Sequence, residues 1–232
     1  MEGFGDLFQQ DGTFEHITES YEFPASGVSL EIQQMEYENC QLEVGVPLVV
    51  WRASLSLSQW LDKNQTQWLK SSSDPVSALE LGSGTGLLGL FTIKRLLQEN
   101  QGSKVTLTDM EQSSLDLLAK NIELNALTTE QVSASYLKWG DFTSPIGEQS
   151  FDLIVGSDII YNNYVLEPLA QTIEKLLKPG SNAYIANNKV RYDNYGRQFE
   201  VELEKAGLIV QERIDIQEDK GTQVMRLLII KK

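Results

Sequence analysis

Hydrophobic positions along this chain fall into short runs that switch between two periods. Residues 21–35, YEFPASGVSLEIQQM, alternate apolar and polar positions around a Pro-Ala-Ser-Gly turn and predict a small hairpin. Val50, Ala53, Leu57 and Leu61 recur at helical spacing within residues 45–62. A polar break, SSSDP, follows at 71–75. From there the alternation is regular. VSALEL (76–81) predicts a buried strand, followed by a glycine loop and an apolar helix to about Gln98. KVTLTD (104–109) predicts a second strand and 111–125 a helix. Strands follow over 132–139 and 151–158, then a helix over 164–178 that stops at Lys178-Pro179-Gly180. A strand over 182–188, a helix over 194–206 and two final strands over 208–216 and 223–231 complete the pattern.

Strands that alternate with helices imply an α/β fold with a doubly wound, Rossmann-like sheet of seven strands. The last two strands have no helix between them. A parallel return needs a long crossover, so the last strand is expected to run antiparallel in an otherwise parallel sheet. Residues 1–45 are expected to form an N-terminal extension bearing the short hairpin, and 46–232 the main domain.

Composition narrows the function. The chain has 232 residues, 41% hydrophobic and 22% charged, enough apolar material for a full core. Against 19 basic residues stand 33 acidic ones, a net charge of −14. Such a body repels phosphate backbones and attracts basic protein surfaces, so no nucleic-acid partner is expected. A single cysteine, Cys40, permits no disulfide framework, and a single histidine, His16, leaves no His-rich metal site and no spare histidine for a triad. No metal is expected. No basic-then-apolar leader is visible, and no run approaches the roughly 18 apolar residues that span a membrane. The expected compartment is cytoplasmic, with the nucleus as the alternative, and no membrane partner is expected.

The strongest chemical signal is the loop Glu80-Leu81-Gly82-Ser83-Gly84-Thr85-Gly86, between a strand and a helix. Glycines let a ligand approach the backbone closely, and a helix N-terminus favours negative groups. Gly84-Thr85-Gly86-Leu87-Leu88-Gly89 matches the dinucleotide pattern G-x-G-x-x-G, but its first glycine then falls two residues late. In the other frame, E-x-G-x-G-x-G, Glu80 stands near the strand end. A carboxylate there suits a cationic ligand and sits badly beside a pyrophosphate. S-adenosylmethionine (SAM), which carries a sulfonium and an amino group, fits better than NAD. Asp109 ends the second strand, where a carboxylate can accept hydrogen bonds from ribose hydroxyls or cap the next helix. Trp139 and Asp141 follow the third strand and could flank an adenine ring and its amino group, although core packing explains the tryptophan equally well. Ser157, Asp158 and Tyr161 end the fourth strand, where open α/β sheets bind ligands.

E-x-G-x-G-x-G, Asp109, the Trp139-Gly140-Asp141 step and the Asp158-Ile159-Ile160-Tyr161 tetrapeptide together resemble the seven-strand, SAM-dependent protein methyltransferases of family 16. Val49-Val50-Trp51-Arg52-Ala53 is similar to a V-V-W-D-A segment of that family, with Arg52 in place of the aspartate. Arg191-Tyr192 echoes a pair in its methyltransferase-like 21 branch. The resemblance covers residues from about 28 to the C-terminus. It implies the class I methyltransferase fold and methylation of a lysine ε-amine on a specific protein, with a heat-shock chaperone or a translation elongation factor as the expected target class. It also implies that Trp51, Glu80, Gly82, Gly84, Gly86, Asp109, Met110, Trp139, Asp141 and Ser157 contact SAM, and that Asp158 and Tyr161 line the lysine channel. The rivals are a methyltransferase for arginine, histidine or a small amine, and a SAM-binding interaction partner that transfers nothing. The D-x-x-Y frame is shared with the D/N-P-P-Y/F motif of adenine and glutamine methyltransferases, but both prolines are missing here. A monomer is expected.

Overall fold

The computed structural model describes residues 16–36, 48–69, 74–218 and 221–232. Cys40, the first fifteen residues and the expected boundary at 45–46 lie outside them.

The sheet has seven strands. They are β3 (Ser77–Leu81), β4 (Lys104–Asp109), β5 (Val132–Tyr136), β6 (Phe151–Ser157), β7 (Leu177–Asn188), β8 (Ile209–Gln217) and β9 (Val224–Lys231), in the spatial order β5-β4-β3-β6-β7-β9-β8. All adjacent pairs are parallel except those made by β9, which runs antiparallel to both β7 and β8. The last strand is therefore the reversed one, as its short connection requires. The chain steps outward from β3 through β4 to β5, then returns to β6 on the other side of β3. That reversal opens a crevice at the carboxyl ends of β3 and β6.

Strand residues alternate between two cores. Ala78, Val105, Leu107, Leu153 and Val155 face one side, with α1 (Arg52–Lys63), the short α2 (Gln65–Trp68) and α3 (Leu87–Glu99). Leu79, Leu81, Ile154, Ala183 and Ile185 face the other, under α5 (Asn163–Leu176) and α6 (Lys189–Lys205). By the same two-residue period Glu80 points toward α3, between Ala78 and the loop. Both faces being covered explains why these strands read as continuous apolar runs.

The hairpin, β1 (His16–Phe23) and β2 (Val28–Met35), packs its apolar face into the first core. Phe23 meets Phe91 of α3 with ring centroids 4.5 Å apart. Its turn is held by buried Asp62 of α1, whose carboxylate accepts from the amides of Ala25 and Ser26, both at 2.9 Å. A second clamp comes from α4 (Gln112–Leu124) and the residue after it. Asn121 accepts from the Gln33 amide and donates to the Gln33 carbonyl, and Asn125 does the same for Glu31. Two asparagines one helical turn apart thus satisfy the free edge of β2 as a neighbouring strand would.

Several elements differ from the sequence pattern; β1 begins at His16 rather than 21, and α1 at Arg52, which leaves Val50 outside the helix. β5 ends at Tyr136, because Leu137 makes the last bond of the ladder, to the Asp109 carbonyl, and the chain then turns through Gly140 at φ +82°. β7 begins at Leu177, directly where α5 ends, so Lys178-Pro179-Gly180 lies inside a strand. α6 begins at Lys189 rather than 194, since the Asn188 side chain accepts from the Val190 amide and caps it. Among the described residues no helix is long and apolar enough to cross a membrane.

Candidate active site

The glycine loop is shaped by positive φ angles at Gly82 (+63°), Gly84 (+53°) and Gly86 (+84°). At Gly82 space matters as much as backbone freedom. A Cβ there would lie 2.9 Å from Ile159 Cγ2 and 3.2 Å from the Trp139 ring. The loop is pinned to β4: Ser83 N donates to the Thr108 carbonyl, Thr108 N to Ser83 Oγ, and Thr108 Oγ1 to the Glu80 carbonyl.

Two carboxylates lie under this loop. Asp109 is buried; its Oδ2 accepts from Gly84 N at 3.0 Å and its Oδ1 from Glu111 N at 3.1 Å. Burial pushes its carboxyl up, against the pull of those amides. Glu80 is fully buried, and its Oε2 has no hydrogen-bond partner among the described residues. Burial, with a smaller contribution from the Asp109 charge, raises its carboxyl to about 8, although Ser83 and the Gly89 amide pull it down. A buried acceptor without a donor is costly and is satisfied when a cationic ligand supplies one. Gly89 makes room for it: a Cβ at that position would stand 2.6 Å from Glu80 Oε2. A buried carboxylate with one oxygen left without a donor suits the charged amino acid end of SAM and not a pyrophosphate.

The D-I-I-Y turn lies across the crevice and is tied to the end of β7. Asp158 adopts φ +53°, which non-glycine residues seldom do, and its amide donates to the Ala186 carbonyl at 2.8 Å. Asp158 Oδ1 accepts from Asn188 N at 2.9 Å. The side chain of fully buried Asn187 exchanges two hydrogen bonds with the Ile160 backbone. Burial pushes the Asp158 carboxyl up; the Asn188 amide, the Arg191 charge and the Ala53 amide pull it down.

The predicted site residues divide into two groups. Tyr161 lies on the side of Trp139 and Asp109: its ring centroid is 6.4 Å from that of Trp139, and its phenol is pushed up by burial and by the charges of Asp109 and Glu111. Asp158 faces the other way, toward α1 and α6. There Arg191 lies 3.8 Å from Asp158 Oδ1 and 5.2 Å from the centroid of the Trp51 ring. Ser157 ends β6 opposite Ala186 of β7, and Met110, directly after β4, is exposed. Asp141 turns its carboxylate back onto the amide and hydroxyl of Thr143, at 3.0 and 2.7 Å. Arg52, where the family pattern carries an aspartate, points outward and pairs with Glu218 at 3.1 Å. His16 lies exposed in β1, away from this crevice.

Asn187, Asn188 and Asn121 escaped the sequence reading. The available signal was an Asn-Asn pair ending one strand, and two asparagines one helical turn apart after another.

The chain is similar to known proteins over most of its length. A family model described as lysine methyltransferase matches residues 29–205. Protein N-lysine methyltransferase METTL21A of Danio rerio is 33% identical over 178 residues, covering 76% of this chain and 75% of that protein. EEF1A lysine methyltransferase 3 of Mus musculus is 28% identical over 185 residues, 80% of this chain and 72% of that one. Among solved structures, a methyltransferase from Pyrococcus furiosus aligns with TM-score 0.57 at 20% identity, over 76% of this chain and 83% of its own. The T. thermophilus 16S rRNA N2 G1207 methyltransferase, solved with AdoMet and guanosine, aligns with TM-score 0.61 at 16% identity, over 95% of this chain and 51% of its own. These two likenesses speak to the fold, that of class I methyltransferases.

Proposed function

Since the chain belongs to the lysine methyltransferase family, we propose that it transfers a methyl group from SAM to the ε-amine of a lysine on a folded protein, using the crevice between β3 and β6. The observation that carries this reading is that neighbouring strands bring to the crevice a buried Glu80 whose Oε2 lacks a donor among the described residues, on β3, and a backbone-held Asp158, directly after β6.

When bound, SAM supplies an electrophilic methyl group on a positively charged sulfur. Glu80, Asp109 and the Gly82–Gly86 backbone would hold it, with Trp139 and Tyr161 as walls. Trp51, Met110, Asp141 and Ser157 complete the proposed cofactor set.

The acceptor must present a neutral amine. With a free lysine pKa of about 10.4, only on the order of one side chain in two thousand is neutral at pH 7. Burial in the crevice lowers that pKa by penalising the ammonium. The Asp158 carboxylate, fixed by the Asn188 amide, accepts hydrogen bonds from the amine and aims its lone pair. A carboxylate also stabilises the ammonium form, so its role is positioning rather than proton removal. Tyr161 stays protonated and offers an aromatic wall and a hydroxyl.

For the target class we propose a translation factor or a heat-shock chaperone. The mouse relative named for EEF1A supports the former. The net charge of −14 suits a basic surface around the target lysine. The proposed compartment is the cytoplasm, extending to the nucleus, and the proposed state is a monomer, because one copy carries every residue of the proposed site.

Radiolabelled methyl transfer from SAM into a demethylated cell extract tests the reading, with Asp158→Ala as control. One or two labelled proteins that vanish with the variant, and label in methyl-lysine after hydrolysis, are expected. Label confined to small molecules, or in another side chain, would overturn it.

A further inference from the structure

Arg191 occupies an unusual place. It projects from the first turn of α6 between two groups that attract cations, the Trp51 ring at 5.2 Å and Asp158 Oδ1 at 3.8 Å. An aromatic face opposite a carboxylate is a recognition site for an ammonium as much as for a guanidinium.

The hold on Arg191 is loose. Its distance to Asp158 exceeds hydrogen-bond length, and Asp158 is its one ion-pair partner among the described residues. By contrast Arg213 meets Glu200 at 2.5 Å and Arg226 meets Asp215 at 2.6 Å. The Arg191 side chain keeps 27% of its surface exposed, while that of Asp158 keeps 8%. The path outward is thus open to the arginine and closed to the aspartate. Asp158 is fixed independently by the Asn188 amide, so it holds its position when Arg191 leaves.

We propose that Arg191 is a built-in occupant of the acceptor pocket, its guanidinium filling the cation subsite of Trp51 and Asp158, which the target lysine enters by displacing it. This rests on the lysine-transfer reading above. Exchange of one cation for another has a physical advantage: the buried carboxylate is never left unpaired, a state that is strongly destabilising. It also sets specificity. A free lysine or short peptide must compete with a tethered cation at high effective concentration. A folded protein substrate brings contacts from outside the pocket, and that remote binding energy drives the exchange.

The test uses the full chain saturated with S-adenosylhomocysteine and n-butylammonium as the probe. Binding is followed by tryptophan fluorescence, with Trp51→Phe identifying the signal from the pocket. Arg191→Met is expected to bind n-butylammonium at least about tenfold more tightly than the natural chain, and Arg191→Lys, which keeps a tethered cation, to resemble the natural chain. In turnover with N-acetyl-lysine methylamide, Arg191→Met is expected to lower KM by a similar factor while kcat and the Kd for SAM stay within about threefold. Equal or weaker butylammonium binding by Arg191→Met would overturn the proposal. So would joint loss of SAM affinity and kcat, which would make Arg191 a support of the cofactor site. Failure of the lysine-transfer reading has a different signature: no lysine acceptor is methylated by any form, while the butylammonium comparison still decides whether Arg191 fills a cation subsite.

Discussion

Asn121 reaches from α4 to the glycine loop, where its side-chain amide donates to the Thr85 carbonyl at 2.9 Å. The same side chain holds the Gln33 amide and carbonyl at 2.8 and 3.0 Å. One fully buried residue therefore joins the N-terminal hairpin to the glycine loop. Asn125 makes the matching clamp on Glu31 and has no bond to the loop among its described partners. Asn121→Ala leaves three backbone groups unpaired at up to about 1–3 kcal/mol each, so a stability loss on the order of 3 kcal/mol is expected. The Kd for SAM should rise about tenfold or more. Asn125→Ala should destabilise the hairpin but raise the Kd for SAM less than about threefold. Denaturant melts and titration calorimetry on both variants separate the two effects.

Glu80 gives the site a pH dependence whose sign follows from its burial. Its carboxyl is raised from 4.5 to about 8 in the folded protein. A group raised in this way contributes stability that is fully present below about pH 4.5 and is lost as pH rises through about 8. The ligand-free protein should therefore lose melting temperature relative to Glu80→Gln as pH is taken from 5 to 9. SAM binding has the opposite slope, because a cationic ligand favours the carboxylate. Its Kd should fall as pH rises from 6 toward 8, by up to about tenfold per pH unit, and the slope should be absent in Glu80→Gln. Calorimetry across that range in buffers of matched ionisation enthalpy reads both.

Most of the fold was legible in the sequence because the parallel strands are covered on both faces and bounded by strong turn residues. β4 fell where KVTLTD placed it, and the short link before β9 fixed that strand's direction. The start of α6 was misplaced because residues 189–193, KVRYD, are mostly polar; a single asparagine cap, Asn188, decides that helix start. At the candidate site, the glycine turn between β3 and α3 could be read because its geometry is local to one loop. The relation of Asp158 to Arg191 and Trp51 could not, because it joins three elements far apart in the chain. The positive φ at Asp158 leaves only a faint trace, an aspartate, which adopts that region more readily than most residues.

Tyr161 separates an aromatic wall from an acid–base role. Burial, with Asp109 and Glu111 nearby, pushes its phenol above the usual range, so it stays neutral at any working pH. Tyr161→Phe keeps the ring beside Trp139 and should hold kcat within about threefold, with an unchanged pH profile between 6 and 10. Tyr161→Ala removes the wall and should lower kcat/KM about thirtyfold or more. A pH profile that lost a limb in Tyr161→Phe would show that the hydroxyl carries a proton in the reaction.

Gly89 lies at the point where packing and chemistry meet, and the two can be separated. A Cβ there would stand 2.1 Å from Leu107 Cδ2 and 2.6 Å from Glu80 Oε2. The leucine methyl is the far end of a flexible side chain; the carboxylate is confined between β3 and α3. Gly89→Ala should cost about 1–3 kcal/mol through overpacking and, by displacing Glu80, weaken SAM binding about tenfold or more. Adding Leu107→Ala opens the apolar side of the clash only. The double variant should therefore lose less stability than the sum of the Gly89→Ala and Leu107→Ala losses while SAM binding stays weak. If binding recovered together with stability, the glycine would be serving the packing of α3 on β4, and the position of the Glu80 carboxylate would not be what the cofactor site requires of it.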